Sequence, residues 1–83
     1  MTDVTFPEMS TEDHHATGVV ATWYAADGEQ VAEGQLIAEV QMDKVDAEVI
    51  APSAGTITLL VAEGEEVAQG TVIARITQDR SGV

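Results

Sequence analysis

The chain has 83 residues, 15 Asp+Glu against 3 Lys+Arg, a formal net charge of -12 and no cysteine. A chain this short buries only roughly 60% of the surface its unfolded form exposes, which leaves space for one thin core and none for a walled substrate cavity, so no catalytic residues are expected. The missing cysteine excludes a disulfide framework, a zinc ribbon, an iron–sulfur cluster and a thiol nucleophile. Basic residues confined to Lys44, Arg75 and Arg80 make no patch for nucleic acid or an anionic membrane.

In chain order, the opening MTDVTFPEMSTEDHH has neither a positive n-region nor an apolar h-region, and no window approaches the ~18 apolar residues of a membrane span. The expectation is a folded cytoplasmic protein, or one of the mitochondrial matrix if the chain is cut from a eukaryotic precursor. The ends MTD and TQDRSGV read as weakly structured. His14 and His15 are adjacent, so an extended backbone turns them to opposite sides, and no metal site is expected there.

From TGVVATWY onward the chain repeats itself. ADGEQVAEGQLIAEV, 26–40, realigns without a gap on AEGEEVAQGTVIARI, 62–76, at an offset of 36, and Gly18 faces Gly55 once one residue of length difference is allowed. Six of the seven glycines belong to this repeat, whose halves span approximately 17–40 and 54–76. Asp27-Gly28 and Glu63-Gly64 read as turns in which glycine takes positive φ. A very short strand follows around Val31 or Val67, and LIAEVQM and TVIARIT are rich in strand-favouring residues. No stretch of helical length holds a 3.6-residue period, and the domain is read as all β.

Period 2 is cleanest at the centre. Ala38, Val40 and Met42 alternate with Glu39, Gln41 and Asp43, and Val45, Ala47 and Val49 alternate with Asp46 and Glu48. Two half-buried strands therefore meet in a hairpin near 42–45, with Asp43 and Lys44 at its tip. Asp-Lys lacks the glycine of a primed turn, and a type I turn is expected. Pro52, Ser53 and Gly55 form the link between the halves.

One four-stranded sheet cannot bury its apolar face alone, so two sheets related by approximate two-fold symmetry should face one another, each completed by strands from the other half. The expected core is Val20, Trp23, Val31, Ile37, Val40, Val49, Ile57, Leu59, Val67, Ile73 and Ile76. Of the neighbours Trp23 and Tyr24, Trp23 faces inward. Glu39, Asp46 and Glu48 are solvated positions opposite the buried face, or an acidic surface steered towards a basic enzyme entrance. Arg75 and Arg80 are available for surface pairs worth about 0–1 kcal/mol. The symmetry mate of the hairpin tip falls near Gln78-Asp79, at a chain end.

A solitary lysine on a turn is ordinarily a solvated charge that discourages edge-to-edge pairing. Here the sole lysine sits between the two repeats, flanked by Asp43 and Asp46, where a modifying enzyme meets no competing amine. Covalent attachment of a carrier group to Lys44 follows as the sharper reading.

The sequence resembles the lipoyl domains of 2-oxo acid dehydrogenase complexes, within the wider biotinyl/lipoyl attachment class, over roughly residues 4 to 77. The resemblance rests on Phe6, Pro7 and Met9, on GVVATW from Gly18, on DGEQVAEGQLIAEV, on MDKVDAEVIAPSAG from Met42 to Gly55, and on AEGEEVAQGTVIARI. It implies a flattened barrel or sandwich of two four-stranded antiparallel sheets in a single domain over 1–83, with lipoate in amide linkage on Lys44. Met42, Asp43, Val45 and Asp46 become recognition residues around the attachment turn.

The implied role is a swinging arm. It is acylated at a thiamin-diphosphate-dependent 2-oxo acid decarboxylase, discharged at the acyltransferase core and reoxidised by dihydrolipoyl dehydrogenase, after loading by a lipoate ligase or octanoyltransferase system. The isolated domain would be a monomer and belong to a dihydrolipoamide acyltransferase component, the 83 residues being either a domain excised from it or a complete protein. Asp43 before Lys44 and Val45 after it depart from the Ala-Met-Lys-Met of biotin carriers and favour lipoate. Met42 stands where many lipoyl domains carry Thr or Ser, Gln41 replaces a frequent acidic residue, and STEDHHAT makes the stretch between Pro7 and Gly18 about two residues longer. A biotin carboxyl carrier domain and an unmodified structural or adaptor module of the same fold are the alternatives.

Overall fold

The computed structural model of the chain describes residues 1–8 and 16–78; Met9, His14, His15, Asp79 and Arg80 lie outside them. Eight strands follow in order: β1 (Thr2–Thr5), β2 (Thr17–Trp23), β3 (Gln30–Val31), β4 (Leu36–Met42), β5 (Val45–Ile50), β6 (Gly55–Leu59), β7 (Glu66–Ala68) and β8 (Val72–Thr77). They form two four-stranded antiparallel sheets, ordered β1-β8-β6-β3 and β5-β4-β2-β7, with no helix among the described residues. Reading one order against the other matches β5 with β1, β4 with β8, β2 with β6 and β7 with β3. The sequence repeat is thus a repeat of structure.

The core lies between the sheets because alternate residues of each strand turn the same way. Val20, Val31, Ile37, Val40, Val49, Ile57, Ile73 and Ile76 are buried as expected, while Trp23, Leu59 and Val67 are only partly buried and pack on the rim. Trp23 has a physical reason to stay there, since its indole Nε1–H donates to the Val61 carbonyl at 3.2 Å and a buried N–H without a partner is costly. Val4, Phe6, Ala25, Ala38, Met42, Ala51 and Ala74 complete the core.

One further expectation changes. The opening MTD is ordered: Thr2 and Asp3 pair with Ile76 and Arg75 in the β1–β8 ladder, and the Phe6 N–H donates to Thr71 O at 2.8 Å. Phe6 is fully buried and fills the space above Gly18, where a Cβ would lie 2.5 Å from Phe6 Cζ and 2.7 Å from Gln41 O. The alternation expected through Ala38, Val40 and Met42 holds, all three being buried. A bulge between Leu36 and Ala38 lets Ile37 and Ala38 both point inward, as an extra residue in one strand does.

The turns share one design. Glu29, Gln35, Glu65 and Thr71 donate their N–H to the carbonyls of Ala26, Ala32, Ala62 and Ala68 at 3.0–3.2 Å. The glycine before each, Gly28, Gly34, Gly64 or Gly70, has φ between 83° and 86°, as a type II turn requires at its third position. In the first three the side chain closes the loop, with Glu29 Oε1, Gln35 Oε1 and Glu65 Oε1 accepting from the N–H of Ala26, Ala32 and Ala62 at 2.9–3.0 Å. Asp27 Oδ1 accepts from the Leu59 N–H and Glu63 Oε2 from the Trp23 N–H, each at 2.9 Å. These two bonds are symmetry mates and both cross between the halves.

Replacing Asp27 or Glu63 by alanine should each lower stability in urea by about 1 kcal/mol, the net worth of one hydrogen bond. Glu33→Ala, in the same kind of turn without such a bond, should change it by less than about 0.5 kcal/mol. Gly18→Ala should cost about 1–3 kcal/mol by overpacking against Phe6.

Candidate functional site at the β4–β5 hairpin tip

β4 and β5 pair without interruption from Ala38↔Val49 to Met42↔Val45, so the loop between them is the two residues Asp43 and Lys44. The ladder fixes the direction of the tip. Met42, only 6% exposed and part of the core, anchors its inner side. Asp43, Lys44, Val45 and Asp46 are all exposed, Val45 by 57%, so the lysine stands on a short, well-supported projection with an apolar neighbour and two carboxylates beside it. Of the four residues expected around the attachment turn, three present side chains to solvent and Met42 supports the turn from below.

The turn is not type I. Asp43 has φ of 56°, whereas the first central residue of a type I turn needs about -60°. Positive φ here, with ordinary φ at Lys44, has the sign sequence of a primed hairpin turn, whose twist matches that of the flanking strands. Aspartate tolerates this region better than most residues because its short side chain bonds locally. Nothing in the dipeptide Asp-Lys announces it, since glycine is the usual signal.

Among the described residues, the carboxylates near the tip have no ion-pair partner within 4.0 Å. Gln41 pairs with Asp46 and Glu39 with Glu48 across the β4–β5 ladder, and Glu66 lies opposite Val19 on β7. Arg75, the other side-chain cation among the described residues, is on the second sheet, paired with Asp3 at 3.2 Å. Glu39 is half-buried, while Asp46 and Glu48 are exposed as expected. Asp27, Glu29, Glu63 and Glu65, which composition alone groups with them, serve the turns instead. An open depression lined by Gln30, Gln35, Pro52, Ser53 and Gln78 lies at the start of β4, the far end from Lys44, and contributes nothing to the tip. Among the described residues no group of three or more His, Cys, Asp or Glu could hold a metal ion.

Lys44 therefore offers an exposed primary amine on a two-residue turn, without an ion-pair partner among the described residues. The profile of the family described as "Biotin-requiring enzyme", the biotin/lipoyl class, matches residues 2–76, and the chain belongs to the biotinyl/lipoyl attachment-domain family. Within it the structure is similar to the lipoyl domain of the 2-oxoglutarate dehydrogenase complex of Azotobacter vinelandii, with a TM-score of 0.71 and 32% identity over 90% of this chain and 96% of that one. The chain is 39% identical over 59 residues to the succinyltransferase component of the 2-oxoglutarate dehydrogenase complex of Cupriavidus necator, and 48% identical over 44 residues to the lipoamide acyltransferase component of the branched-chain alpha-keto acid dehydrogenase complex of Bacillus subtilis. Those matches take in 71% and 53% of this chain but only 14% and 10% of the relatives.

The turn geometry predicts that Asp43→Gly keeps or raises stability, while Asp43→Val lowers it by about 1–2 kcal/mol, the cost of a left-handed conformation. Urea unfolding of the three proteins checks this. Parallel loss of stability in both variants would show that the carboxylate, not the backbone, matters.

Proposed function

We propose that the chain is a swinging-arm carrier domain that bears lipoate on Lys44 and shuttles acyl groups and reducing equivalents within a 2-oxo acid dehydrogenase complex, as part of its dihydrolipoamide acyltransferase component. The observation that carries this reading is the placement of the single lysine of the sequence on the two-residue tip of the β4–β5 hairpin, in a chain of the attachment family. Its structural likeness to a lipoyl domain supports lipoate over biotin, as do Asp43 and Val45 on either side of the lysine.

Loading forms an amide. The deprotonated Nζ of Lys44 displaces the activating group from an activated lipoyl or octanoyl carboxyl, the amine proton leaves to solvent or an enzyme base, and the formal charge goes from -12 to -13. Lys44 is thereafter a linkage, neither base nor Schiff-base former. Met42 in the core and Asp43 in its left-handed turn hold the Lys44 Cα in place, so the ligase meets a fixed presentation. The prosthetic group, when attached, supplies the redox and acyl-transfer chemistry, while the domain supplies position. Tethering to the complex turns successive encounters into intramolecular ones at high effective concentration. The thiamin-diphosphate-dependent decarboxylase, the acyltransferase core and dihydrolipoyl dehydrogenase are the partners this role requires.

Intact mass after incubation with lipoate, ATP and a lipoate ligase should rise by one lipoyl amide, and Lys44→Arg should abolish the rise while leaving the urea midpoint within experimental error of wild type. Biotin and biotin ligase should give no rise. No gain under conditions that lipoylate a reference lipoyl domain would overturn the reading in favour of an unmodified module.

A further inference from the structure

The internal symmetry lets one outer face serve as a reference for the other. On the β1-β8-β6-β3 sheet, Asp3 of β1, Arg75 of β8 and Thr58 of β6 lie side by side in register, and Arg75 Nε bonds Asp3 Oδ1 at 3.2 Å. The offset of the repeat places Glu39 where Arg75 stands, and the matching strands place Glu48 where Asp3 stands. Glu39 and Glu48 are direct partners in the β4–β5 ladder. Like charges directly opposite on neighbouring strands destabilise a sheet, whereas opposite charges support it. The same fold therefore carries an ion pair on one face and a repulsive pair at the equivalent place on the other.

The next row away from the tip differs in the same sense. Leu36 and Ile50 are direct partners, and the N–H of Tyr24, which follows β2, donates to Ile37 O at 2.8 Å. With Trp23 turned inward and Ile37 and Ala38 both buried at the bulge, Tyr24, Leu36 and Ile50 form an outward apolar row, 51%, 37% and 56% exposed. The equivalent row on the other face is Leu60, Val72 and Thr5. It is less apolar at Thr5, and Val72 is half-buried. Towards the tip the lysine-bearing face continues through Asp46, Gln41, Val19 and Glu66, with Lys44 its only cation among the described residues.

We propose that the outer face of the β5-β4-β2-β7 sheet is a docking surface for a partner protein whose complementary patch is apolar at the row of Tyr24, Leu36 and Ile50 and basic opposite Glu39, Glu48 and Asp46. A second copy of this chain does not fit, because two such faces would bring like charges together at a net charge of -12 each, and an anionic lipid surface fails for the same reason. A basic partner relieves the Glu39–Glu48 repulsion on binding, so the destabilising placement becomes useful only in the complex. The inference rests on the carrier reading and names the thiamin-diphosphate-dependent decarboxylase as the partner to test.

The test is titration of lipoylated, 15N-labelled domain with its cognate decarboxylase, alongside three variants. Amide signals of Tyr24, Leu36, Glu39, Glu48 and Ile50 should shift or broaden, and those of Thr56, Thr58 and Arg75 should not. Glu39→Arg, which recreates the arrangement of the opposite face, should raise the urea midpoint yet weaken binding about tenfold or more at low salt. Leu36→Asn with Ile50→Thr should weaken it by a similar factor at all salt concentrations, whereas Thr58→Glu on the other face should not. Perturbations confined to the tip, unchanged affinity of Glu39→Arg, or dimerisation through Ile50 seen in sedimentation would each overturn the docking face. The mass gain at Lys44 reports separately on the carrier reading, because the ligase reaction does not involve the decarboxylase.

Discussion

Gly28 and Gly64 each donate a backbone N–H across the domain, to Ile57 O and to Val20 O, both at 2.8 Å, and the carboxylates beside them reach the N–H groups of Leu59 and Trp23. On these crossings the rest of the structure depends. They hold β3 against β6 and β7 against β2, so each half of the chain gives its shortest strand to the other half's sheet. Neither half then has a complete sheet of its own, and neither can bury its apolar face alone. A chain of this length reaches a core in one way, by closing the two halves on each other.

The same closure explains why the tip is a good place to display an amine. β4 is held on both sides, by β2 and β5, and its inward residues Ile37, Val40 and Met42 are buried. The ladder thus stays paired up to Met42 and Val45, the last pair before the turn. Its symmetry mate, where β1 begins and β8 ends, has the same pairing but no connecting turn. Of the two equivalent poles, only the one at Asp43 and Lys44 is closed by a hairpin turn.

Much of this was legible in the sequence, for identifiable reasons. The repeat of glycines and branched apolar residues carried the two-sheet fold, and the alternation through Val40, Met42, Val45 and Val49 carried the hairpin. What was missed depends on contacts across the chain. Val4 and Phe6 sit in a short polar opening whose partner strand is about seventy residues away, so no local pattern marks them as core. The bulge that lets Ile37 and Ala38, both read as inward, share a face has no local signal either. The turn carboxylates did have a signal: the four-residue pattern Ala-x-Gly followed by Glu, Gln or Thr occurs four times. Aspartate at positive φ has none, because the twist of the strands, not the dipeptide, selects it. Glu39 and Glu48 look like ordinary solvated residues until the repeat is laid on the register and the ion pair of the opposite face is seen at their place.

The start of β1 and the end of β8 lie opposite the hairpin tip. Gln35, at the start of β4, and Gln78, just past β8, line one depression, and Thr2 pairs with Ile76 beside it. Thr2 and Gln78 therefore lie at the pole away from Lys44, with the length of β4, about 20 Å at strand rise, between them and the tip. A connection made at Thr2 or Gln78 leaves the whole length of β4 between itself and the hairpin tip.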